Sequence, residues 1–177
     1  MTQDAPRVRA FLASSLDGFI AGPQDQLDWL PGHDAGEDTF TPFMRQVGAI
    51  LMGRRTYDVV EAFDGPWPYG EVPVLVATTR PLHPKHPTLR PVQGCIGELL
   101  AEASRCAGAR DVYVDGGVMV RAALDAGRLD ELTLTLIPIL LGEGIRLFNG
   151  GSRRALTCES VREIGGGMVQ LRYRLNA

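Results

Sequence analysis

Two stretches of this 177-residue chain hold the residue types best suited to binding phosphate. In Ile50-Leu51-Met52-Gly53-Arg54-Arg55-Thr56-Tyr57, an apolar run stops at glycine and resumes with helical spacing. Val112-Tyr113-Val114-Asp115-Gly116-Gly117-Val118-Met119-Val120 repeats the device about sixty residues later. A strand that ends on glycine and turns into a helix puts free backbone N–H groups, and the positive end of the helix dipole, in front of an anion. Gly53 removes a side chain from that approach, Thr56 adds a hydroxyl, and Arg54 and Arg55 add fixed positive charge with geometry suited to phosphate oxygens. Tandem Gly116 and Gly117 open backbone conformations closed to other residues, and Val118, Met119 and Val120 begin the helix behind them. Between the two lies Thr78-Thr79-Arg80, just past the end of another apolar run. An arginine there suits the extra 2′-phosphate of an NADP-type dinucleotide.

Proton delivery needs an acid, and Asp17, Asp28, Asp34, Glu37, Asp38 and Asp115 are the candidates. Asp115 stands beside a phosphate turn at a strand's end. Asp17 lies in Ser15-Leu16-Asp17-Gly18-Phe19-Ile20-Ala21-Gly22, a strand exit of the glycine-bearing kind that often covers an active site. Metal chemistry is not expected. His33, His83 and His86 are few and loop-borne, and the sequence lacks the HxE and PCxxC elements of a zinc deaminase. No serine sits in a G-x-S-x-G elbow. Cys95, Cys106 and Cys158 form no CxxC pair and read as thiols of a reducing cytoplasm.

The elements that must position these groups follow from periodicity and punctuation. Strands are expected at Arg7–Ser14, Ala49–Met52, Val72–Ala77, Leu89–Val92, Asp111–Val114 and, as a long apolar run, Leu132–Leu141. Helices are expected over Glu37–Val47, Thr56–Phe63, Gly97–Ala107 and Val118–Ala126. Ser15–Pro31, Gly65–Gly70 and the proline-rich residues 80–88 read as loops. Residues 155–175 alternate around Gly165-Gly166-Gly167, an antiparallel hairpin. Alternating strands and helices imply an α/β, mostly parallel sheet closed by that hairpin. One domain over residues 1–177 is the simplest organisation. The net charge of −3 speaks against a nucleic-acid binder, and no membrane span or signal peptide is visible, which makes the cytoplasm the default.

Taken together, these residues resemble the dihydrofolate-reductase superfamily. Leu51 to Tyr57 looks like its MGR-x-T-aromatic turn. Val74-Leu75-Val76-Ala77-Thr78-Thr79-Arg80-Pro81 resembles its third strand. Tyr113 to Leu124 resembles its glycine-pair strand and pyrophosphate helix, in which the Gly116–Gly117 peptide would be cis. Ser15-Leu16-Asp17-Gly18, Asp115 and Leu136 to Gly142 resemble the reductase domain of bacterial riboflavin-biosynthesis deaminase/reductases, in stand-alone form. The resemblance implies a three-layer sandwich of about eight strands with helices on both faces.

It also implies an NADPH-dependent oxidoreductase like 5-amino-6-(5-phosphoribosylamino)uracil reductase. Dihydrofolate reduction, or NADP binding without catalysis, are the alternatives. Cofactor contacts would come from Ala13, Ile20, Ala21, Gly53, Arg54, Arg55, Thr56, Thr78, Thr79, Arg80, Gly116, Gly117, Val118, Met119 and Val120. Substrate contacts would come from Trp29, Glu37 and Asp38, and proton handling from Asp17 or Asp115. The substrate would be a small heterocycle. Leu132 to Leu141, with Ile145, Leu147 and Phe148, would support a homodimer; a buried central strand accounts for the same residues.

Overall fold

The computed structural model describes residues 6–32 and 35–175; His33 and Asp34 lie outside them. In chain order the elements are β1 (Val8–Ser15), β2 (Phe19–Ala21), α1 (Phe40–Met44), β3 (Val47–Gly53), α2 (Arg54–Glu61), β4 (Val74–Ala77), β5 (Leu89–Val92), α3 (Ile96–Ala107), β6 (Asp111–Asp115), α4 (Gly117–Asp125), β7 (Glu131–Ile137), β8 (Ile145–Arg146), β9 (Leu156–Glu163) and β10 (Val169–Leu175). Eight strands form one sheet in the order β5-β4-β3-β6-β1-β7-β10-β9. Pairing is parallel from β5 through β7. It is antiparallel for the closing β9–β10 hairpin, which joins through β7.

Side chains alternate across the sheet, so neighbouring residues of one strand serve different cores. Ala10 and Leu12 of β1 pack with Leu100 and Ala103 of α3 and with Val120 and Ala123 of α4. Phe11, between them, packs with Phe43 of α1 and with Tyr57 and Val60 of α2 on the opposite face. Helices therefore cover both faces, as a sheet whose strands are apolar on both sides requires. Among the described residues, no helix is long and apolar enough to cross a membrane.

Three expected elements differ. The helix expected over Glu37–Val47 shrinks to Phe40–Met44. Asp38 Oδ1 accepts the N–H groups of Phe40 and Thr41 at 3.1 and 2.9 Å, which starts the helix late. At its far end the fully buried Val47 is drawn into β3. The long strand expected over Leu132–Leu141 ends at Ile137. Pro138 brings no N–H to a ladder, and the Ile139 N–H turns back to the Ile137 carbonyl at 2.8 Å. Finally, Phe19–Ala21 and Ile145–Arg146 form a small antiparallel pair outside the main sheet. Three- and two-residue strands are too short to show a period.

Candidate functional site

Both glycine turns lie at the carboxyl ends of central parallel strands, where ligands bind in open α/β sheets. Gly53 ends β3 and Gly116 follows β6, and these strands are paired with Met52 opposite Asp115. The turns touch. A Cβ built on Gly116 would stand 2.0 Å from Thr56 Oγ1, and Gly116 has φ +85°, so this position accepts only glycine. The Gly116–Gly117 peptide is trans, not cis; the left-handed Gly116 makes the bend by itself.

Two cavities flank these turns. The first, of about 370 Å³, is lined by Phe11, Leu12 and Ala13 of β1, Ile20 and Ala21 of β2, and Leu27 and Leu30 of the following loop. Arg55, Thr56, Val59 and Val60 of α2, Phe63, Tyr69 and Asp115, and Gly116, Gly117, Val118 and Arg121 complete most of its wall. The second, also about 370 Å³, is lined by Arg54, Ala77, Thr78, Thr79, Arg80, Val92, Gln93, Gly94, Leu99 and Met119. Consecutive residues are split between them. Arg54 and Met119 face the second, and Arg55 and Val118 the first. Gly53 lies at the divide, where a Cβ would meet Met119 Cγ at 3.9 Å.

The second cavity is cationic. Arg54 Nε and Arg80 Nη2 reach opposite oxygens of Asp58, at 2.7 and 3.6 Å. Two guanidinium groups thus share one carboxylate and leave a net positive charge. Arg54 Nη1 also donates to the Pro81 carbonyl at 2.9 Å. The Thr78 hydroxyl accepts the Arg80 N–H at 3.1 Å and so shapes the turn that presents Arg80.

The first cavity is apolar with an acid at its floor. Asp115 is 9% exposed. Its Oδ2 accepts the Tyr69 hydroxyl at 2.9 Å. Burial raises its pKa above the usual carboxylate range, against the pull of the Tyr69 and Tyr113 hydroxyls and the Gly116 N–H. Burial, and the carboxylate beside it, likewise push the Tyr69 phenol far up. A carboxyl with a raised pKa in a cleft is the ordinary signature of a group that holds or passes a proton.

The other proposed residues lie elsewhere. Asp17 does not line either cavity. It accepts the Ser15 hydroxyl at 2.6 Å and the N–H groups of Leu141 and Gly142 at 3.1 and 2.8 Å. It therefore staples the turn after β1 to the loop after β7. The Ser15 hydroxyl, with some opposition from burial and help from the two N–H groups, holds its pKa at about 2. That makes it a poor proton donor. A depressed carboxylate adds stability that is complete above its ordinary pKa of 3.8 and is lost as pH falls toward 2. Asp17→Ala should thus melt below the parent protein at pH 7, and scanning calorimetry should show the gap closing near pH 2.

Glu37 pairs with Arg162 at 2.7 Å, and Asp38 caps α1, both away from the main cavity. Trp29 donates Nε1–H to the Gln26 carbonyl at 3.1 Å and packs with Ile137 and Ile164, while its neighbours Leu27 and Leu30 face the cavity. Val120 is fully buried in the core and its N–H is spent on the Gly116 carbonyl at 3.0 Å. These four residues support the structure around the site instead of lining it.

Sequence reasoning missed Tyr69, Asp25, Arg121 and the apolar wall of Leu27, Leu30, Val59, Val60 and Phe63. Tyr69 sits in the segment read only as a turn. The pairing of Trp67 and Tyr69, unusually apolar for a turn, was the available signal. Their rings pack edge to face at 5.2 Å.

A mostly parallel sheet with an antiparallel closing hairpin, and two cavities at the switch of its strands, define a dihydrofolate-reductase-like α/β protein. The family model described as the RibD C-terminal domain matches residues 6–170, and the chain belongs to that family. The Bacillus subtilis (strain 168) protein YwjB is 28% identical over 92% of this chain and 94% of its own. The crystal structure of a Shewanella sp. PV-4 protein assigned to riboflavin biosynthesis superposes with a TM-score of 0.86 and is 30% identical, covering 97% of this chain and 99% of its own. Enterococcus faecalis dihydrofolate reductase, in complex with NADP(H) and RAB-propyl, shares the fold at a TM-score of 0.64 and 20% identity, over 97% of both chains.

Proposed function

We propose that the protein is an NADPH-dependent reductase that transfers a hydride to a C=N or C=O of a pyrimidine- or pteridine-like substrate. One observation carries the reading: a cationic cavity and an apolar, acid-floored cavity meet at two glycine turns, with alternate residues of each turn serving each side. Such a site fits a dinucleotide whose 2′-phosphate lies between Arg54 and Arg80. Its pyrophosphate would cross the start of α4, and its redox ring would lie in the first cavity beside Ala13, Ile20 and Ala21. The start of α4 at Gly117 offers its first backbone N–H groups and the positive end of its dipole to such a group. The cofactor would supply the hydride. The chain's own part is to exclude water with the apolar wall and to hold a proton at Asp115.

The riboflavin-type reading is favoured over the folate-type. The acids that would serve a pterin from the helix after the substrate loop, Glu37 and Asp38, are spent on Arg162 and on capping α1. The test is loss of NADPH absorbance with 5-amino-6-(5-phosphoribosylamino)uracil, the same compound without its phosphate, and dihydrofolate as separate substrates. Stoichiometric NADPH binding with no oxidation by any of them would refute catalysis on these substrates.

A homodimer also fits. On the face covered elsewhere by α3 and α4, Leu134, Leu171 and Val161 stand in one cross-strand row, with Val161 62% exposed. An apolar row at the sheet's outer strands suits a second copy. Light scattering on the eluting protein should give twice the chain mass, and Leu171→Arg should give the monomer. A monomeric parent would exclude the pairing.

A further inference from the structure

A reduction consumes a proton as well as a hydride, and few side chains of the first cavity have a proton to give. Among the described residues its protic side chains are those of Asp25, Arg55, Thr56, Tyr69, Asp115 and Arg121. The two guanidinium groups keep their charge and do not act as acids. Asp25 is occupied at the rim, where both its oxygens accept Arg55 Nε–H at 2.7 and 2.9 Å. Thr56 carries an ordinary alcohol and stands against Gly116. That leaves Asp115 and Tyr69, whose oxygens lie 2.9 Å apart.

The two are placed differently. The Asp115 carboxyl is enclosed by the chain, with the Tyr69 and Tyr113 hydroxyls and the Gly116 N–H all directed at it. Tyr113 also bonds the Phe11 carbonyl, at 3.0 Å, and does not line the cavity. Tyr69 does line it. Its ring is fixed from behind by Trp67, edge to face at 5.2 Å, and Trp67 is itself stacked on His86 at 4.2 Å. The Val72 N–H closes the turn on the Tyr69 carbonyl at 3.0 Å. With the ring held, the hydroxyl proton can still change acceptors by rotation about the C–O bond.

We infer that Tyr69 is the catalytic residue that touches the substrate and protonates it, with Asp115 behind it as the proton reservoir. This rests on the reductase reading. As the cofactor's hydride forms the new C–H bond, the π pair of the C=N or C=O moves to the heteroatom and takes the Tyr69 proton. The Asp115 carboxyl proton passes to the Tyr69 oxygen. Two electrons go from cofactor to substrate, and Asp115 is left as a carboxylate that accepts the Tyr69 hydroxyl, the hydrogen bond seen in the structure. Water at the cavity mouth then returns a proton to Asp115. Burial and the carboxylate beside it push the Tyr69 pKa far up, so the phenol does not release a proton alone. Receiving one as it gives one, it never becomes a buried phenolate.

The test is single-turnover oxidation of NADPH by the full chain with the two uracil compounds and dihydrofolate. Tyr69→Phe keeps the ring and its packing against Trp67. It should lower the rate by about 10²-fold and leave NADPH affinity unchanged. The double variant with Asp115→Asn should fall within about threefold of Asp115→Asn alone, because groups acting in series fail together. A Tyr69→Phe rate within about threefold of the parent, or a double loss equal to the product of the single ones, would overturn the inference and leave the reductase reading standing. Infrared titration of the Asp115 carboxyl in the ligand-free chain, as parent minus Asp115→Asn, needs no turnover. Its midpoint should rise by about one pH unit in Tyr69→Phe, where the carboxylate has lost a donor. An unmoved midpoint would also overturn the inference. A raised midpoint in a chain that oxidises NADPH with none of the compounds would refute the reductase reading, and transfer to substrate with it, and leave Tyr69 and Asp115 as a pair that shares a proton.

Discussion

Replacing Arg54 and Arg80 together by alanine is expected to weaken NADPH binding by roughly 30- to 150-fold, equivalent to about 2–3 kcal/mol. NADH binding should change by less than about threefold. The two guanidinium groups share Asp58 and line a cavity whose remaining wall is nearly uncharged. On the proposed reading their net positive charge serves the 2′-phosphate that distinguishes the two cofactors. Removing both also leaves Asp58 facing the phosphate, so the double variant should lose more than either single one. Fluorescence titration with each cofactor measures the effect. Equal losses for NADPH and NADH would show that the arginines act on the fold or on the pyrophosphate, and would refute the assignment.

Asp115→Asn is expected to lower turnover by about 10²- to 10³-fold, the usual worth of a positioned acid, and to leave NADPH affinity within about twofold because the substitution is isosteric and Asp115 does not line the cationic cavity. Asparagine keeps an oxygen to accept the Tyr69 hydroxyl but cannot carry the proton. The stability consequence runs the other way. The Asp115 pKa is raised by burial, so between the ordinary carboxylate pKa and that raised value the folded protein binds more protons than the unfolded chain. Stability then falls as pH rises through that window. Asp115→Asn removes this loss, so it should melt at or above the parent protein at pH 7 and lose that advantage at low pH. Unchanged turnover would remove Asp115 from the chemistry. A variant less stable at pH 7 than at pH 4, relative to the parent, would contradict the buried-acid account.

Much of this was readable because the information is local. The glycine turns announce themselves as apolar runs that break at Gly53 and Gly116. The run Val74–Ala77 is bounded by turn residues, and a period of two marks the hairpin around Gly165–Gly167. These features owe little to distant partners. The errors arose where a tertiary partner overrode a local pattern. Val47 carries a helical spacing but is fully buried in β3. Leu140 continues an apolar run yet is 70% exposed beyond Pro138.

The lining of the two glycine turns was legible, because backbone geometry demands glycine there and the arginines follow directly in sequence. The apolar cavity was much less legible. There the wall is ordinary leucine, valine and phenylalanine from four separate segments, and nothing in the type of residue distinguishes a cavity wall from a core. Glu37 and Asp38 show the limit of listing acids by position. Both lie near the expected place, and both are drawn away by partners, Arg162 and the α1 N-terminus, that no spacing reveals.

Arg54 and Arg55 are adjacent, yet one faces the cationic cavity and the other the apolar cavity. On the proposed reading, cofactor preference and the lining of the substrate cavity are thus written at separate codons. A single change at residue 54 or 80 can shift the first without disturbing the second, and a change at residue 25 or 55 does the reverse. A lineage can therefore exchange its substrate while keeping its source of reducing equivalents.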